Sequence, residues 1–123
     1  LDSPCSGIGT IRRNPEILFK KKPPELKLHS KNQEMLINKA SNLLNKSGIL
    51  IYMVCSFLNE ETKEIKNKFL KKNKNFSQIK FKKSSKNQYN EFIDKDGDFI
   101  CEPSQYKGYM VDGFYAVKFL KND

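Results

Sequence analysis

The chain has 123 residues, 37% of them hydrophobic, with a mean hydropathy of −0.68 and a formal net charge of +9. That length bounds it to one domain or part of one, and no apolar run approaches the roughly 18 residues that a membrane-spanning helix needs. Of its 23 basic residues only Arg12 and Arg13 are arginine; the lysine excess favours either a polyanionic partner, whose neutralised phosphates release counterions, or a merely solvated lysine-rich face.

Three cysteines, Cys5, Cys55 and Cys101, form no CxxC pair. Their odd number and wide spacing argue against a disulfide framework and against a zinc site. His29 is the single histidine and is expected at the surface. No signal-peptide pattern is present, so a soluble protein in a reducing, cytoplasmic setting is expected, with no metal and no membrane partner.

In chain order, Leu1 to Cys5 reads as the tail of a strand. An irregular stretch follows, punctuated by Gly7, Gly9, Pro15, Pro23 and Pro24. A helix is expected from about Glu25 or Leu28 to Asn45, with Leu36, Ala40, Leu43 and Leu44 on one face and Ser47-Gly48 ending it. Ile49 to Val54 is an apolar run without alternation, the pattern of a strand buried on both faces in a parallel sheet. Asn59 is placed to cap a second helix running to about Lys72, with Glu60 and Glu61 in its first turn and Ile65, Phe69 and Leu70 inward. Strands are expected over 76–81, 99–102 and 113–120. Asp94-Lys95-Asp96-Gly97-Asp98 has its glycine too early for a calcium-binding EF-hand loop and reads as a turn. Strands alternating with helices imply an α/β fold with a mostly parallel sheet, to which the last strand, after an irregular connection, returns antiparallel.

Cys5 and Cys55 each stand where a strand gives way to polar residues. Ligands of open α/β sheets sit outside the carboxyl ends of the strands. If the two strands are neighbours, their ends lie about 5 Å apart, and Asp2, Cys5 and Cys55 line one cleft. A lone free cysteine is more often core than catalyst, which is the reading for Cys101. Phe114 and Tyr115 alternate on a strand and are expected in the core rather than as stacking platforms.

Asp2 to Glu16 closely resembles the "DAPCSGxGTxRRxPD" motif of the RsmB/NOP/Sun family of S-adenosylmethionine-dependent RNA cytosine-C5 methyltransferases. Tyr52 to Glu61 is similar to its second signature, "YSTCSxxxEE"; Gln33, Lys46-Ser47-Gly48 and Asp112 to Ala116 resemble its helix glutamine, its "KPGG"-like turn and its closing "DGFFxA". The resemblance implies the C-terminal half of a Rossmann-like class I methyltransferase domain over residues 1–123. It implies S-adenosylmethionine as cofactor and ribosomal RNA as partner. By the same resemblance Cys55 is the nucleophile that adds to carbon 6 of the base, Cys5 assists product release, and Asp2 hydrogen-bonds the base. Asp2 and Pro4 border the cofactor, and Arg12, Arg13 and Gln33 contact RNA. For the arginines an ion pair with a carboxylate such as Glu16 is the alternative, and for Gln33 an ordinary helix surface. Ser56, backbone N–H groups around it and the helix near Glu60 are candidates to activate the Cys55 thiol.

The chain departs from the family pattern at Ser3 for alanine, Met53 and Val54 for serine and threonine, and Thr62 for asparagine. Nothing in it matches the family's glycine-rich cofactor loop, so a fragment of a longer enzyme is expected. A non-catalytic RNA-binding protein that keeps the fold, or an enzyme of the same family acting on transfer RNA, are the alternative functions.

Overall fold

The computed structural model describes residues 1–19 and 25–122. The lysines Lys20, Lys21 and Lys22 and the expected breakers Pro23 and Pro24 lie outside the described residues.

The sheet is built around its last strand. Strand β1 (Ile49–Val54) pairs along one side of β6 (Phe114–Lys121), antiparallel, with Leu50 opposite Phe119, Tyr52 opposite Val117 and Val54 opposite Tyr115. Strands β2 (Phe76–Ile79) and β3 (Phe99–Cys101) pair antiparallel along the other side of β6. β1, β2 and β3 therefore run parallel to one another, and the single reversed strand is the last. At the outer side of β1, Asp2 bridges Met53 in parallel, with Ser3 N–H on the Met53 carbonyl and Met53 N–H on that of Leu1, both at 2.9 Å. The two strand ends that carry Cys5 and Cys55 are thus neighbours, as the sequence suggests.

Helices α1 (Leu26–Asn42) and α2 (Lys63–Lys72) cover one face of this sheet. Cross-strand partners point to the same face, so Leu50, Tyr52, Val54, Tyr115, Val117 and Phe119 form one apolar layer, against which Ile37, Ile65, Phe69 and Phe76 pack. Burial along β1 consequently alternates: Ile49 and Ile51, on the other face, are exposed. The uninterrupted apolar run does not read out as burial on both faces, because both helices lie on one side.

Helix α1 also differs from its expected pattern. Its inward stripe is Ser30, Gln33, Ile37 and Ser41, with Ala40 and Leu44 at its margin, whereas Leu43 is 86% exposed. Polar residues occupy that stripe because they bond groups under the helix: Ser30 Oγ donates to the Glu60 carbonyl at 3.0 Å. The helix ends at Asn42, three residues before the expected Asn45, and the positive φ falls on Ser47 (61°) instead of Gly48. The second helix is preceded by a 3-10 turn over Asn59–Glu61, and Asn59 bonds the Glu64 side chain rather than capping through its oxygen.

β2 and β3 are two pieces of one line. Ile79 faces Lys118 and Phe99 faces Ala116, so a single rung of β6, at Val117, is skipped while residues 80–98 make an excursion. Its neck is closed by Phe81 N–H on the Gly97 carbonyl at 2.9 Å. The Asp94–Asp98 segment is a turn: Asp94 Oδ1 accepts the N–H groups of Asp96 and Asp98, and Gly97 has φ of 80°. Helix α2 grips this turn with two lysines. Lys63 bonds Asp94 at 2.7 Å and Asp96 at 3.1 Å, and its ammonium is held above the usual lysine range by the Asp94 hydrogen bond. Lys66 is buried on Asp98 at 2.6 Å, and the fully buried Asp98 also accepts from Tyr115 and Gln78. Both lysines are committed to ion pairs, Lys63 at the half-buried edge and Lys66 in the interior.

Removing one partner of a buried ion pair strands the other charge, at a cost of about 3 kcal/mol. Lys66→Met is therefore expected to lower the unfolding free energy by about that amount in urea denaturation; a wild-type midpoint and slope would contradict it.

Candidate active site

The site is a loop pressed onto two strand ends. After Ser3, which is buried, the chain leaves β1's edge with Asp2 and Pro4 exposed and Cys5 half-buried. It then turns back over the end of β1: Gly9 N–H donates to the Cys55 carbonyl at 2.9 Å, and the Gly9 carbonyl accepts Gly113 N–H at 2.7 Å. Gly9 is wedged between the two. A Cβ there would sit 2.1 Å from the Gly113 oxygen and 2.8 Å from the Cys55 oxygen, so no larger residue fits.

A second anchor lies beneath. Glu61, fully buried, accepts Ser6 N–H at 2.8 Å and Ser6 O–H at 2.6 Å. Gln33 Nε2 bonds the same carboxylate at 3.2 Å and the Pro4 carbonyl at 3.0 Å, while Tyr52 O–H donates to the Glu61 carbonyl. Glu61 on Ser6 and Gln33 on Pro4, bonded to each other, so hold the loop on both sides of Cys5. Gln33 is expected among the RNA contacts or on an ordinary helix surface; the structure gives it no accessible surface and bonds its amide to Pro4 and Glu61. Glu61 was visible in the sequence only as a first-turn acid; nothing in its spacing marks it as the anchor.

The arginines take the alternative the sequence left open, with a different partner. Arg12 Nη2 lies 3.3 Å from Asp112, and Arg13 bonds it through Nε at 2.6 Å and Nη2 at 2.5 Å. Both stay well exposed, at 37% and 60%, so their outer N–H groups remain open to a further anion. Cys101 is buried under this corner, its thiol on the Asp112 carbonyl at 3.2 Å, and burial pushes that thiol up.

Cys5 and Cys55 are free, half-buried thiols within electrostatic reach of each other. Burial pushes the Cys5 thiol above its ordinary value; a backbone hydrogen bond from Gly7 opposes this and the Glu61 charge adds to it. Burial also raises Cys55, followed by the carboxylates of Asp2 and then Asp112, with Arg13 acting the other way. Asp2, Asp112 and Arg13 are therefore all within electrostatic reach of Cys55. Of the expected activators, Ser56 is fully buried and its Oγ accepts Leu58 N–H at 3.2 Å. In this state the thiol is the dominant form at neutral pH, since a free cysteine already titrates near 8.5.

The arrangement suits nucleophilic chemistry controlled by neighbouring charge. The family model described as 16S rRNA methyltransferase RsmB/F matches residues 1–120. The chain belongs to this family. The ribosomal RNA small subunit methyltransferase B of Shewanella oneidensis is 27% identical over 121 residues, covering 98% of this chain and 26% of that protein. Its namesake in Thermus thermophilus is 32% identical over 76 residues, 62% of this chain and 19% of that protein. The crystal structure of PH0851 superposes with a TM-score of 0.80 at 25% identity, over 97% of this chain and 25% of that one. This RsmB/F chain thus spans about a quarter or less of the length of the relatives it matches. Its fold is the C-terminal part of a Rossmann-like methyltransferase domain, as the motif resemblance implies.

No cluster of three or more His, Cys, Asp or Glu side chains able to hold a metal ion occurs among the described residues, and no described helix is long and apolar enough to cross a membrane.

Two measurements probe the site. Peptide-resolved alkylation of Cys55 should show a midpoint above that of free cysteine. Asp112→Asn should move it to lower pH, since a negative charge that opposes the thiolate is gone; an unmoved midpoint would refute the coupling. Gly9→Ala forces atoms into occupied space, and overpacking of this kind costs about 1–3 kcal/mol. It is expected to lower the melting temperature, whereas a wild-type melt would mean that the wedge gives way.

Proposed function

We propose that the complete protein carrying this chain methylates carbon 5 of a cytosine in ribosomal RNA, with Cys55 as nucleophile, Cys5 assisting release and Asp2 binding the base. The observation that carries this reading is the meeting of Asp2, Cys5 and Cys55 at the carboxyl ends of adjacent parallel strands, under a loop that admits only glycine at Gly9.

Carbon 5 of cytosine is too weak a nucleophile to take a methyl group directly. Addition of the Cys55 thiolate to carbon 6 leaves an enamine-like ring whose carbon 5 is nucleophilic. S-adenosylmethionine, when bound, supplies an electrophilic methyl group. Asp2 and Pro4, both exposed on either side of buried Ser3, suit the wall nearest the base and would flank the cofactor there. Cys5, as its thiolate, then takes the carbon 5 proton while the carbon 6–sulfur bond to Cys55 breaks and its electron pair leaves with the Cys55 thiolate, which restores the aromatic ring.

The charges around Cys55 fit a trigger tied to substrate. Asp2 is the larger of the two carboxylate influences that keep the thiol protonated. A base hydrogen-bonded to Asp2 disperses part of that charge and is itself stabilised as charge develops on the ring. Arg12 and Arg13 hold Asp112 with one set of donors and present others outward, a geometry suited to phosphate.

The test is methyl transfer to ribosomal RNA by the complete protein. Cys55→Ala should abolish transfer, and wild-type rates in that variant would overturn the assignment. Cys5→Ala should accumulate a covalent RNA adduct visible on a denaturing gel; its absence would remove Cys5 from the release step. Tight, salt-sensitive RNA binding by the wild-type protein without transfer would favour the non-catalytic alternative, and transfer confined to transfer RNA the other.

A further inference from the structure

The aromatic hairpin beside the site, with Lys107 at its tip, has no part in the chemistry above. Strands β4 (Ser104–Tyr106) and β5 (Tyr109–Val111) pair only with each other among the described residues. A two-stranded ribbon is marginal alone, and this one is pinned through Tyr106. Its ring meets Phe92 edge-on at 5.0 Å and lies 6.4 Å from Tyr89, and its hydroxyl donates to the Gln88 carbonyl. The tip is set by two left-handed residues, Lys107 (φ 46°) and Gly108 (φ 85°). It places the Lys107 ammonium 5.2 Å from the Tyr106 ring centroid.

That anchoring leaves an aromatic surface in water. Tyr109 is 77% exposed and Met110 53%. Between the hairpin and the excursion lies a groove of about 330 Å³, lined by Gln88, Tyr89, Tyr106, Lys107, Tyr109 and Val111. Lys107 is one of its lining residues, and Lys82, Lys83 and Lys86, all exposed, precede Gln88 and Tyr89 in the excursion. The strand also leads straight to the site: Tyr109 is three residues before Asp112, which lies within reach of Cys55. At about 3.3 Å per strand residue, Tyr109 lies at most roughly 10 Å from Asp112.

We propose that this hairpin is a platform for single-stranded RNA flanking the target nucleotide, with Tyr109 stacking on an unpaired base and Lys107 neutralising its phosphate. The inference rests on the RNA substrate of the reading above and adds a second contact surface to it. Exposed rings beside cations complement a polyanion with open base faces, whereas a partner protein would be met by a broader apolar patch.

The test is binding of a fluorescein-labelled single-stranded RNA 12-mer by the complete protein, followed by anisotropy, with a blunt RNA duplex of the same length as control. Tyr109→Ala should weaken single-strand binding about tenfold and leave duplex binding unchanged, and Tyr109→Phe should restore it. Lys107→Gln should reduce the slope of log affinity against log salt by about 0.7. Tyr109 is exposed, so the variants should melt as wild type does. Single-strand binding by Tyr109→Ala within twofold of wild type would overturn the proposal and leave the patch to a protein partner. No methyl transfer enters this readout, so it stands or falls apart from the role of Cys55.

Discussion

Three separated stretches of chain meet where Gly9 is held between the Cys55 carbonyl and Gly113 N–H. This contact fixes the loop of the first cysteine against the strand of the second, and both against the start of the final strand. It works because Gly9 has no side chain, so two backbones approach more closely than any Cβ allows. The placing of Cys5, the position of Asp112 and the exit of the hairpin all follow from where this knot lies.

Around the knot, buried polar groups do what apolar packing cannot, which is to fix direction. A buried carboxylate is unfavourable unless its oxygens are hydrogen-bonded, and Glu61 meets that condition only with the loop of Ser6 in place. Loop position and anion solvation are thereby one requirement. Farther along the same face of the sheet, Asp98 does the same with Lys66, Tyr115 and Gln78, locking the excursion to α2. The two hubs sit at different points of one apolar layer, which supplies cohesion while they supply geometry.

The legible part of the chain was its local chemistry. The strand at Ile49–Val54, the two helices and the reversed last strand follow from apolar runs and turn residues. The cysteine motifs placed Asp2, Cys5 and Cys55 on one edge. What escaped were pairings made across the fold. The Glu61 contact to Ser6 spans 55 residues and that of Arg12 to Asp112 spans 100, and no sequence pattern encodes such partners. Leu43 misled because helical spacing counts apolar residues, whereas the inward stripe of α1 is partly polar. Gln33 looked like a surface contact for the complementary reason: its burial depends on a carboxylate from another element.

The skipped rung of β6 has a bearing on how such a chain can diverge. Because β2 and β3 are both hydrogen-bonded to the same continuous strand, one on each side of Val117, β6 acts as a ruler for the segments either side of the gap. The polypeptide between Phe81 and Phe92 can then lengthen, shorten or change composition while the Asp94–Asp98 turn stays locked to α2 and Asp112 keeps its distance from Cys55. The fold has in effect separated the part of this region that must stay in register from the part free to drift, and evolutionary novelty at the groove can accumulate without passing through the reacting centre.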